Sequence, residues 1–170
     1  MTTELRNRQH FELSATTYWK QLCLSLAYQE RLYKEALHCT RMEVLEDSGT
    51  YETGVTRRLR FIKPIEAPAA ITKVVGSEVH IDQHSVFDPG AQRWTYRLVP
   101  SVLSDRIDIR GVMHIEQAGT GIEQITVNTL SCRMFGLGAI IEPFIARSTE
   151  EGHTDAAAFT RRYIAEHRLR

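Results

Sequence analysis

Hydrophobic and polar residues alternate with a period of two in six segments between Met42 and Met134. In the segment from Val79 to Phe87, every second residue belongs to one face. Successive side chains of a β-strand point to opposite faces of its sheet, so this period predicts half-buried strands. Turn-forming residues separate several segments, at positions 47–49, 88–90 and 118–121. The pattern therefore predicts a series of six strands.

The period lengthens to three and four residues near the beginning of the chain. A short strand around Phe11 precedes Tyr18, Leu22 and Leu26, which recur every four residues, and the pattern continues to Leu37. This spacing is typical of helices that bury one face, and it predicts two short helices after the first strand.

Two further helices are predicted later in the chain. A short one over residues 69–75 lies in a connection that Pro64 and Pro68 interrupt. The last segment, from Leu137 to about His167, shows three- and four-residue apolar spacing throughout, which predicts a helix about 45 Å long at about 1.5 Å per residue. We expect its apolar stripe to pack on the concave face of the sheet. That stripe contains Ile141, Phe144, Ala156 and Phe159.

Composition and charge exclude several classes of protein. Of 170 residues, 42% are apolar and 25% are charged, which is ordinary for a globular protein, and we expect a single domain over residues 1–170. Lys and Arg number 21, and so do Asp and Glu. Most nucleic-acid binders carry a basic excess, so no nucleic-acid partner is expected. No window approaches the roughly 18 uninterrupted apolar residues of a membrane span.

Cysteine usage and the first residues bear on location. Cys23, Cys39 and Cys132 are odd in number and form no Cys-x-x-Cys pair, so neither a disulfide scaffold nor a Cys-rich zinc site is expected. Residues 1–10 are polar and contain no apolar signal-peptide core. We therefore expect a reduced, cytoplasmic protein.

The junction between the last strand and the long helix carries the most specific resemblance to a known family. It reads Arg133-Met134-Phe135-Gly136-Leu137-Gly138, and Glu150-Glu151-Gly152 follows in mid-helix. Together with the order of elements, this stretch is similar to uncharacterised bacterial members of the START/SRPBCC superfamily. The resemblance implies an α+β helix-grip fold, in which a curved antiparallel sheet of about seven strands wraps around the C-terminal helix and two short helices follow the first strand. Residues 1–170 would form one START-like domain.

The same resemblance implies a function. Proteins of this superfamily generally hold an apolar or amphipathic ligand between sheet and helix, so we expect a carrier or sensor of a lipid, sterol or similar amphiphile, with transient membrane contact. Some members are enzymes, such as polyketide aromatase/cyclases, and a catalyst of that kind is the alternative. The fold alone does not decide between them.

If the apolar faces of the strands form the concave side of the sheet, their residues would line the cavity. The expected ligand-binding residues of the sheet are Tyr51, Val55, Ile81, Phe87, Trp94, Tyr96, Ile109, Met113 and Val127, and those of the helix are Ile141, Phe144 and Ile145. Arg57 and Gln83 are polar residues on the same faces and are included as ligand-orienting groups. A buried Arg57 needs a partner, such as a ligand headgroup or a carboxylate, and otherwise it lies at a water-exposed rim. A solid core is the alternative to a cavity.

The connection between the fifth and sixth strands of the predicted sheet is unusually apolar. It contains Val99, Val102 and Leu103, and lipid-transfer members of the superfamily carry a gate loop at this place. An apolar loop tip is unfavourable in water unless it covers something or meets a membrane. These three residues are the expected gate, and a loop that packs its apolar residues inward is the alternative.

Candidates for catalysis or metal binding are few. His80, Asp82 and His84 share one strand face, as metal ligands would, but Val79 and Ile81 assign the opposite face to the core. We expect this trio to be exposed and to hold no metal. The sequence contains no Gly-x-Ser-x-Gly, no His-Glu-x-x-His and no Gly-rich phosphate loop, so no catalytic residue and no cofactor are expected.

Overall fold

Seven strands and four helices make up most of residues 2–170, the part of the chain that the computed structural model describes. In chain order these are β1 Thr2–Phe11, α1 Ala15–Thr17, α2 Leu26–Arg31, β2 Arg41–Thr50, β3 Gly54–Pro64, α3 Ala69–Val75, β4 Glu78–Asp88, β5 Arg93–Pro100, β6 Ile107–Ala118, β7 Gly121–Cys132 and α4 Gly138–His167. A π-helical segment, Tyr18–Cys23, continues α1, and a second, Leu32–Ala36, continues α2.

The strands form one antiparallel sheet with the order β1-β7-β6-β5-β4-β3-β2. Consecutive strands pair from β2 to β7, and β1 adds to the far side of β7. Helix α4 lies against the concave face, where Ile141 and Phe159 are buried and Phe144 and Ala156 are half-buried. The predicted α+β helix-grip fold, with two short helices after the first strand, is confirmed.

Helix α4 begins one residue later than predicted and has 30 residues. Its apolar positions form a stripe, while charged residues such as Glu150 and Arg162 occupy the other faces. Within residues 2–170, no helix is long and apolar enough to cross a membrane. The short helix α3 has the predicted bounds, Ala69–Val75.

The first strand is longer than its sequence pattern indicates. β1 begins at Thr2, whereas the alternation of apolar and polar residues is visible only around Phe11. Asn7 and Gln9 point toward the inside of the fold, and Arg6 and Arg8 point outward. Both faces of this strand are therefore polar, and a hydrophobic period of two cannot reveal it.

The first hairpin turns later than predicted. β2 runs through Gly49 to Thr50, and the chain reverses at residues 51–53, so Tyr51 lies in the turn and not on a strand face. Gly49 has a φ of +90°, and a Cβ there would stand 1.9 Å from the carbonyl oxygen of Gly54. The glycine is thus required for the close approach of two strands, which its sequence pattern alone does not distinguish from a turn.

Buried apolar residues form three separate clusters that hold α4 and the short helices to the sheet. The first surrounds Trp19, which is fully buried against Phe87 with ring centroids 4.7 Å apart. The second joins α3 and the start of α4 to the sheet through Ile71, Ile107 and Ile141. The third lies under α2 and contains Tyr33, Leu59, Phe61 and Cys39. Between them, the clusters leave part of the interior unfilled.

Candidate ligand-binding cavity

A cavity of about 1120 Å³ separates the concave face of the sheet from α4. Strands β1 and β3 to β7 form its floor, the π-helical extension of α2 forms one wall, and α4 forms the roof. Most of its surface is apolar, and apolar pockets of several hundred Å³ with a few polar groups are the usual form of small-molecule sites. The alternative of a solid core is therefore excluded for this region.

The exposed residues of the lining show where the cavity opens. On α4 they are spaced by four and form one stripe: Pro143, Arg147, Glu151 and Asp155. The other exposed lining residues are His38, after the π-helical extension of α2, Pro64 at the end of β3, and Glu66 and Pro68 between β3 and α3. Residues four apart lie on one helix face, so the mouth runs along this side of α4.

Charge in the lining is confined to that mouth. Glu66, Arg147, Glu151 and Asp155 are exposed, and Lys63 is half-exposed. Among residues 2–170, every fully buried residue of the lining is uncharged or carries only a hydroxyl, amide or thiol. Burial raises the pKa of Cys23 to about 12 and that of Cys39 to about 11, so both thiols stay neutral. The interior is therefore polar in places without being ionised.

A chain of three hydrogen-bonded side chains crosses this interior. The Tyr96 hydroxyl donates to Asn128 Oδ1 at 2.5 Å, and Asn128 Nδ2 stands 2.8 Å from His153 Nε2. Tyr96 comes from β5, Asn128 from β7 and His153 from the middle of α4, so the chain connects floor and roof. All three residues line the cavity.

Gly111 makes the first link of this chain possible. It lies on β6, paired with Tyr96 on one side and with Asn128 on the other. The Tyr96 ring lies across Gly111, where a Cβ would stand 2.0 Å from the ring carbon that carries the hydroxyl. The missing side chain lets the tyrosine reach over an entire strand, because β5 and β7 are not neighbours.

The direction of the hydrogen bonds fixes the proton on His153. Asn128 Oδ1 already accepts from Tyr96, so the amide nitrogen of Asn128 is the donor toward His153 Nε2. Nε2 therefore carries no proton, and the neutral ring is protonated at Nδ1. Burial lowers the pKa of His153 below its usual range, with the nearby Glu150 opposing the shift. The hydrogen bond from Asn128 and the burial of the ring thus both favour the neutral imidazole.

Two further polar pairs face the cavity from α2 and its extension. The buried Tyr33 hydroxyl donates to Gln83 Oε1 at 2.6 Å, and the Tyr28 hydroxyl lies 2.6 Å from Thr160 Oγ1. Thr160 in turn donates to the carbonyl oxygen of Ala156 on α4. These groups satisfy one another, so they need no ligand to be stable when buried.

Most of the predicted ligand-binding residues lie around the cavity. The structure places nine of them in the lining: Ile81, Gln83, Trp94, Tyr96, Ile109, Met113, Ile141, Phe144 and Ile145. Of the predicted gate, Val102 also lines the cavity. Their contact with a ligand stays a prediction.

Three predicted residues belong to the solid part of the core instead. Tyr51, Val55 and Phe87 pack in the Trp19 cluster and do not line the cavity. Tyr51 stacks on Phe87 with centroids 5.6 Å apart, and Trp19 covers the other side of Phe87. The π-helical segment after α1 inserts Trp19 into this end of the grip and closes it.

Arg57 is buried beside that closed end, and not at a water-exposed rim. Its side chain is 3% exposed, Nε donates to Asp47 Oδ1 at 2.8 Å, and Nη2 donates to the carbonyl oxygen of Leu24 at 2.8 Å. The carboxylate that this arginine requires thus comes from β2. Arg57 does not line the cavity, so the structure gives its predicted contact with a ligand no support.

Val127 and two of the gate residues are also placed differently. Val127 points to the outer face of β7, because Thr126 and Asn128 on either side of it line the cavity. Val99 belongs to β5, where it pairs with Asp82 of β4, and it lies near Arg60 and His80 on the outer face. Leu103, with a φ of +58°, packs inward against the Ile71 cluster, so this loop covers its own apolar residues.

The trio on β4 lies on the outer face of the sheet. His80 and His84 are exposed, and Asp82 accepts hydrogen bonds from Arg60 at 2.7 and 2.9 Å. In the described part of the chain, no three His, Cys, Asp or Glu side chains converge as a metal site would require.

Sequence patterns did not indicate Asn128 or His153. On β7 the apolar residues Ile125 and Val127 alternate with Thr126 and Asn128, and the expectation was that the apolar set points inward. The cavity wall reverses that rule, because a wall that meets ligand or water can carry polar residues. His153 follows Gly152 on α4 and forms no motif with any neighbour in sequence. Only the fold brings it to Asn128.

Solved structures with the same fold support this description. The chain matches TTHA0849 from Thermus thermophilus with a TM-score of 0.69 and 13% identity, over 96% of this chain and 98% of that one. It matches the ZhuI aromatase/cyclase from Streptomyces sp. R1128 at 0.66 and 13%, over 96% of both. It matches a norcoclaurine synthase point mutant from Thalictrum flavum, in complex with a transition-state analogue, at 0.67 and 15%, over 99% and 97%.

These likenesses confirm the helix-grip fold that START/SRPBCC proteins share, and at such identities they show the fold alone. No curated protein matches the chain by sequence. The chain belongs to the family described as a protein of unknown function, DUF2505, whose model matches residues 6–164.

The contact between Tyr96 and Gly111 predicts a strong coupling between these positions. Gly111→Ala should lower the free energy of unfolding by about 1–3 kcal/mol, because the added methyl group displaces the Tyr96 ring. In a Tyr96→Ala background, the same change should cost little. Urea denaturation of the four proteins gives the coupling energy. Equal costs in both backgrounds would show that the ring does not need the glycine.

The lowered pKa of His153 predicts a pH dependence of stability. The unfolded chain, with a histidine pKa of about 6.5, takes up its proton before the folded protein does as pH falls. The stability contributed by neutral His153 is therefore complete above about pH 6.5 and is lost as pH falls below it, by at most about 1.4 kcal/mol per pH unit. His153→Gln, which keeps an acceptor for Asn128, should lose less stability between pH 7.5 and 5. Urea denaturation at a series of pH values measures this, and an equal loss of unfolding free energy in the two proteins between pH 7.5 and 5 would contradict the prediction.

Proposed function

We propose that the protein binds a hydrophobic or amphipathic small molecule, of the lipid or sterol kind, in the cavity between sheet and α4, and carries or senses it. The observation that supports the proposal is the cavity itself, about 1120 Å³, mostly apolar and open along one side of α4. Burial of apolar surface supplies about 0.8 kcal/mol per CH₂ before the costs of association. A ligand of the size of a lipid chain would gain enough to bind reversibly.

The chemistry of the lining favours binding over catalysis. An aromatase/cyclase-like enzyme, the alternative, needs acid and base groups that converge on its substrate. Inside the mouth of the described cavity, His153 is the one imidazole, and its Nε2 is occupied by Asn128. Burial raises the pKa of Tyr33 and Tyr96, which keeps both hydroxyls protonated. Neutral hydroxyls that already donate to Gln83 and Asn128 transfer protons poorly.

Transient contact with a membrane would suit a carrier. Phe135 and Ile140 are better exposed for such contact than the predicted Val102 and Leu103. Val102 and Leu103 are half-buried, whereas Phe135 is fully exposed and Ile140 is 45% exposed. The two loops are adjacent, because Arg133 N donates to the carbonyl oxygen of Arg106 at 2.8 Å. Phe135 would therefore meet a bilayer first. One buried phenylalanine contributes at most about 1.5–3 kcal/mol, so the contact would be reversible.

Filling the cavity tests the proposed binding. Ile109 lines the cavity from β6, and Ile109→Trp should weaken binding of the neutral dye N-phenyl-1-naphthylamine at least tenfold, because the larger ring occupies its place. The matched control is Val112→Trp on the outer face of the same strand, which should bind the dye as the wild type does. Fluorescence titration measures both. Unchanged dye affinity in a folded Ile109→Trp protein would overturn the proposal, as would absence of binding by the wild type.

Replacing the exposed phenylalanine tests the membrane contact. Phe135→Asp should slow transfer of the same dye from phosphatidylcholine vesicles to the protein several-fold, while its affinity in solution stays the same. Val86→Asp is the matched control, since Val86 is 48% exposed on the outer face of β4. Stopped-flow fluorescence measures the rates. If both variants transfer the dye like the wild type, Phe135 does not mediate membrane contact.

A further inference from the structure

We infer that the Tyr96–Asn128–His153 chain is the recognition site for one uncharged oxygen of the ligand, a carbonyl or hydroxyl oxygen that accepts a hydrogen bond from His153 Nδ1. This inference rests on the proposed binding function and adds the chemical class of the ligand's polar group. It starts from the N–H donor of His153 that these three residues leave without a partner in a mostly apolar cavity.

The free donor follows from the order of the hydrogen bonds. Tyr96 donates to Asn128 Oδ1, and Asn128 Nδ2 donates to His153 Nε2, which leaves the proton of the neutral ring on Nδ1. His153 Nδ1 has no hydrogen-bond partner within residues 2–170, and it is not sealed from solvent. The ring itself lines the cavity. A ligand group that meets it must therefore accept a hydrogen bond.

The same hydrogen bonds from Tyr96 and Asn128 keep the proton of His153 on Nδ1. A proton on Nε2 would face the Asn128 amide N–H group, so protonation would require the amide to turn, and the Tyr96 hydroxyl would then have to accept a hydrogen bond in place of donating one. The Tyr96 ring in turn lies over Gly111, where a Cβ would stand 2.0 Å from it. Asn128 and Tyr96 are thus positioning residues, and His153 is the group that touches the ligand.

The surroundings exclude a charged group at this position. On α4 the titratable side chains nearest in sequence are Glu151 and Asp155, two residues to either side of His153, and Glu150, three residues before it; all three are exposed, and Glu151 and Asp155 lie at the mouth. Strand β7, whose Asn128 contacts His153, presents Gln124, Thr126 and Asn128 to the cavity, and all three are uncharged. A carboxylate buried here would find no cation beside it, and such burial is unfavourable by several kcal/mol. An ammonium group has no lone pair with which to accept from His153 Nδ1–H. An uncharged oxygen has neither disadvantage.

A pair of size-matched probes separates this inference from the proposed function. The first is 6-propionyl-2-(dimethylamino)naphthalene, whose carbonyl oxygen accepts hydrogen bonds and whose emission then moves to longer wavelength. The second is 6-propyl-2-(dimethylamino)naphthalene, which has no carbonyl group. His153→Phe should weaken binding of the propionyl probe about five- to tenfold, the value of one net hydrogen bond, and leave the propyl probe within twofold. The emission of the bound propionyl probe should move to shorter wavelength in this variant.

Two further variants test the positioning roles. Asn128→Leu removes the acceptor of Tyr96 and the donor to Nε2, so the tautomer is no longer fixed and the propionyl probe should again bind more weakly. Tyr33→Phe is the matched control, because it removes one buried hydroxyl of the same wall, 2.6 Å from Gln83, without touching the chain. It should leave the preference for the propionyl probe intact.

The outcomes are distinguishable. Normal binding of the propyl probe with an equal effect of His153→Phe on both probes would overturn the recognition site and leave the cavity function standing. A loss in Tyr33→Phe as large as in His153→Phe would also overturn it. Tighter binding of 6-(dimethylamino)-2-naphthoate than of the propionyl probe at pH 8 would show that the site takes a charged group. Failure of the wild type to bind either neutral probe would instead overturn the proposed function.

Discussion

The open space between sheet and α4 is the constraint on which the remaining structure depends. At about 24 cal/mol per Å³, a dry and closed cavity of about 1120 Å³ would cost on the order of 25 kcal/mol. A domain is stable by only about 5–15 kcal/mol, so the space cannot be empty. It must hold water or ligand, and that requires the opening along α4 and the polar groups in its wall. The three apolar clusters must then hold α4 in place without filling the space between them.

Placing polar groups in such a wall is possible only where their hydrogen bonds are satisfied locally. Tyr33 finds Gln83 on the sheet, and Tyr28 finds Thr160 on α4. Tyr96 has no partner on the neighbouring strand, because Gly111 stands there, and this same glycine allows the ring to reach Asn128 one strand further. Because Gly111 has no side chain, a continuous set of hydrogen bonds runs from Tyr96 on β5, across β6, to Asn128 on β7 and on to His153 of α4. The neutrality of the site is a consequence of this network as much as of burial.

The fold was predictable from the sequence, and the polar site was not. Apolar periods identify β3 to β7, α3 and α4, because these elements bury one face against apolar neighbours. The same reasoning misses most of β1, whose inner residues Asn7 and Gln9 face the cavity, and it assigns Val127 to the wrong face for the same reason. Burial patterns describe a core, and a cavity wall follows different rules. The contacts Arg57–Asp47 and Asn128–His153 join residues that no spacing relates.

Affinity and selectivity come from different parts of this cavity. Apolar surface stabilises any ligand in proportion to the area it buries, and it distinguishes poorly between chains of similar size. A buried donor acts in the opposite way. In the proposed site, a ligand that lacks an acceptor would forgo the hydrogen bond from His153 Nδ1–H, which is the roughly five- to tenfold in affinity expected of one net hydrogen bond. In the proposed site, a single oriented imidazole would therefore suffice to select one class of amphiphile from the many hydrophobic molecules that the rest of the lining would accept.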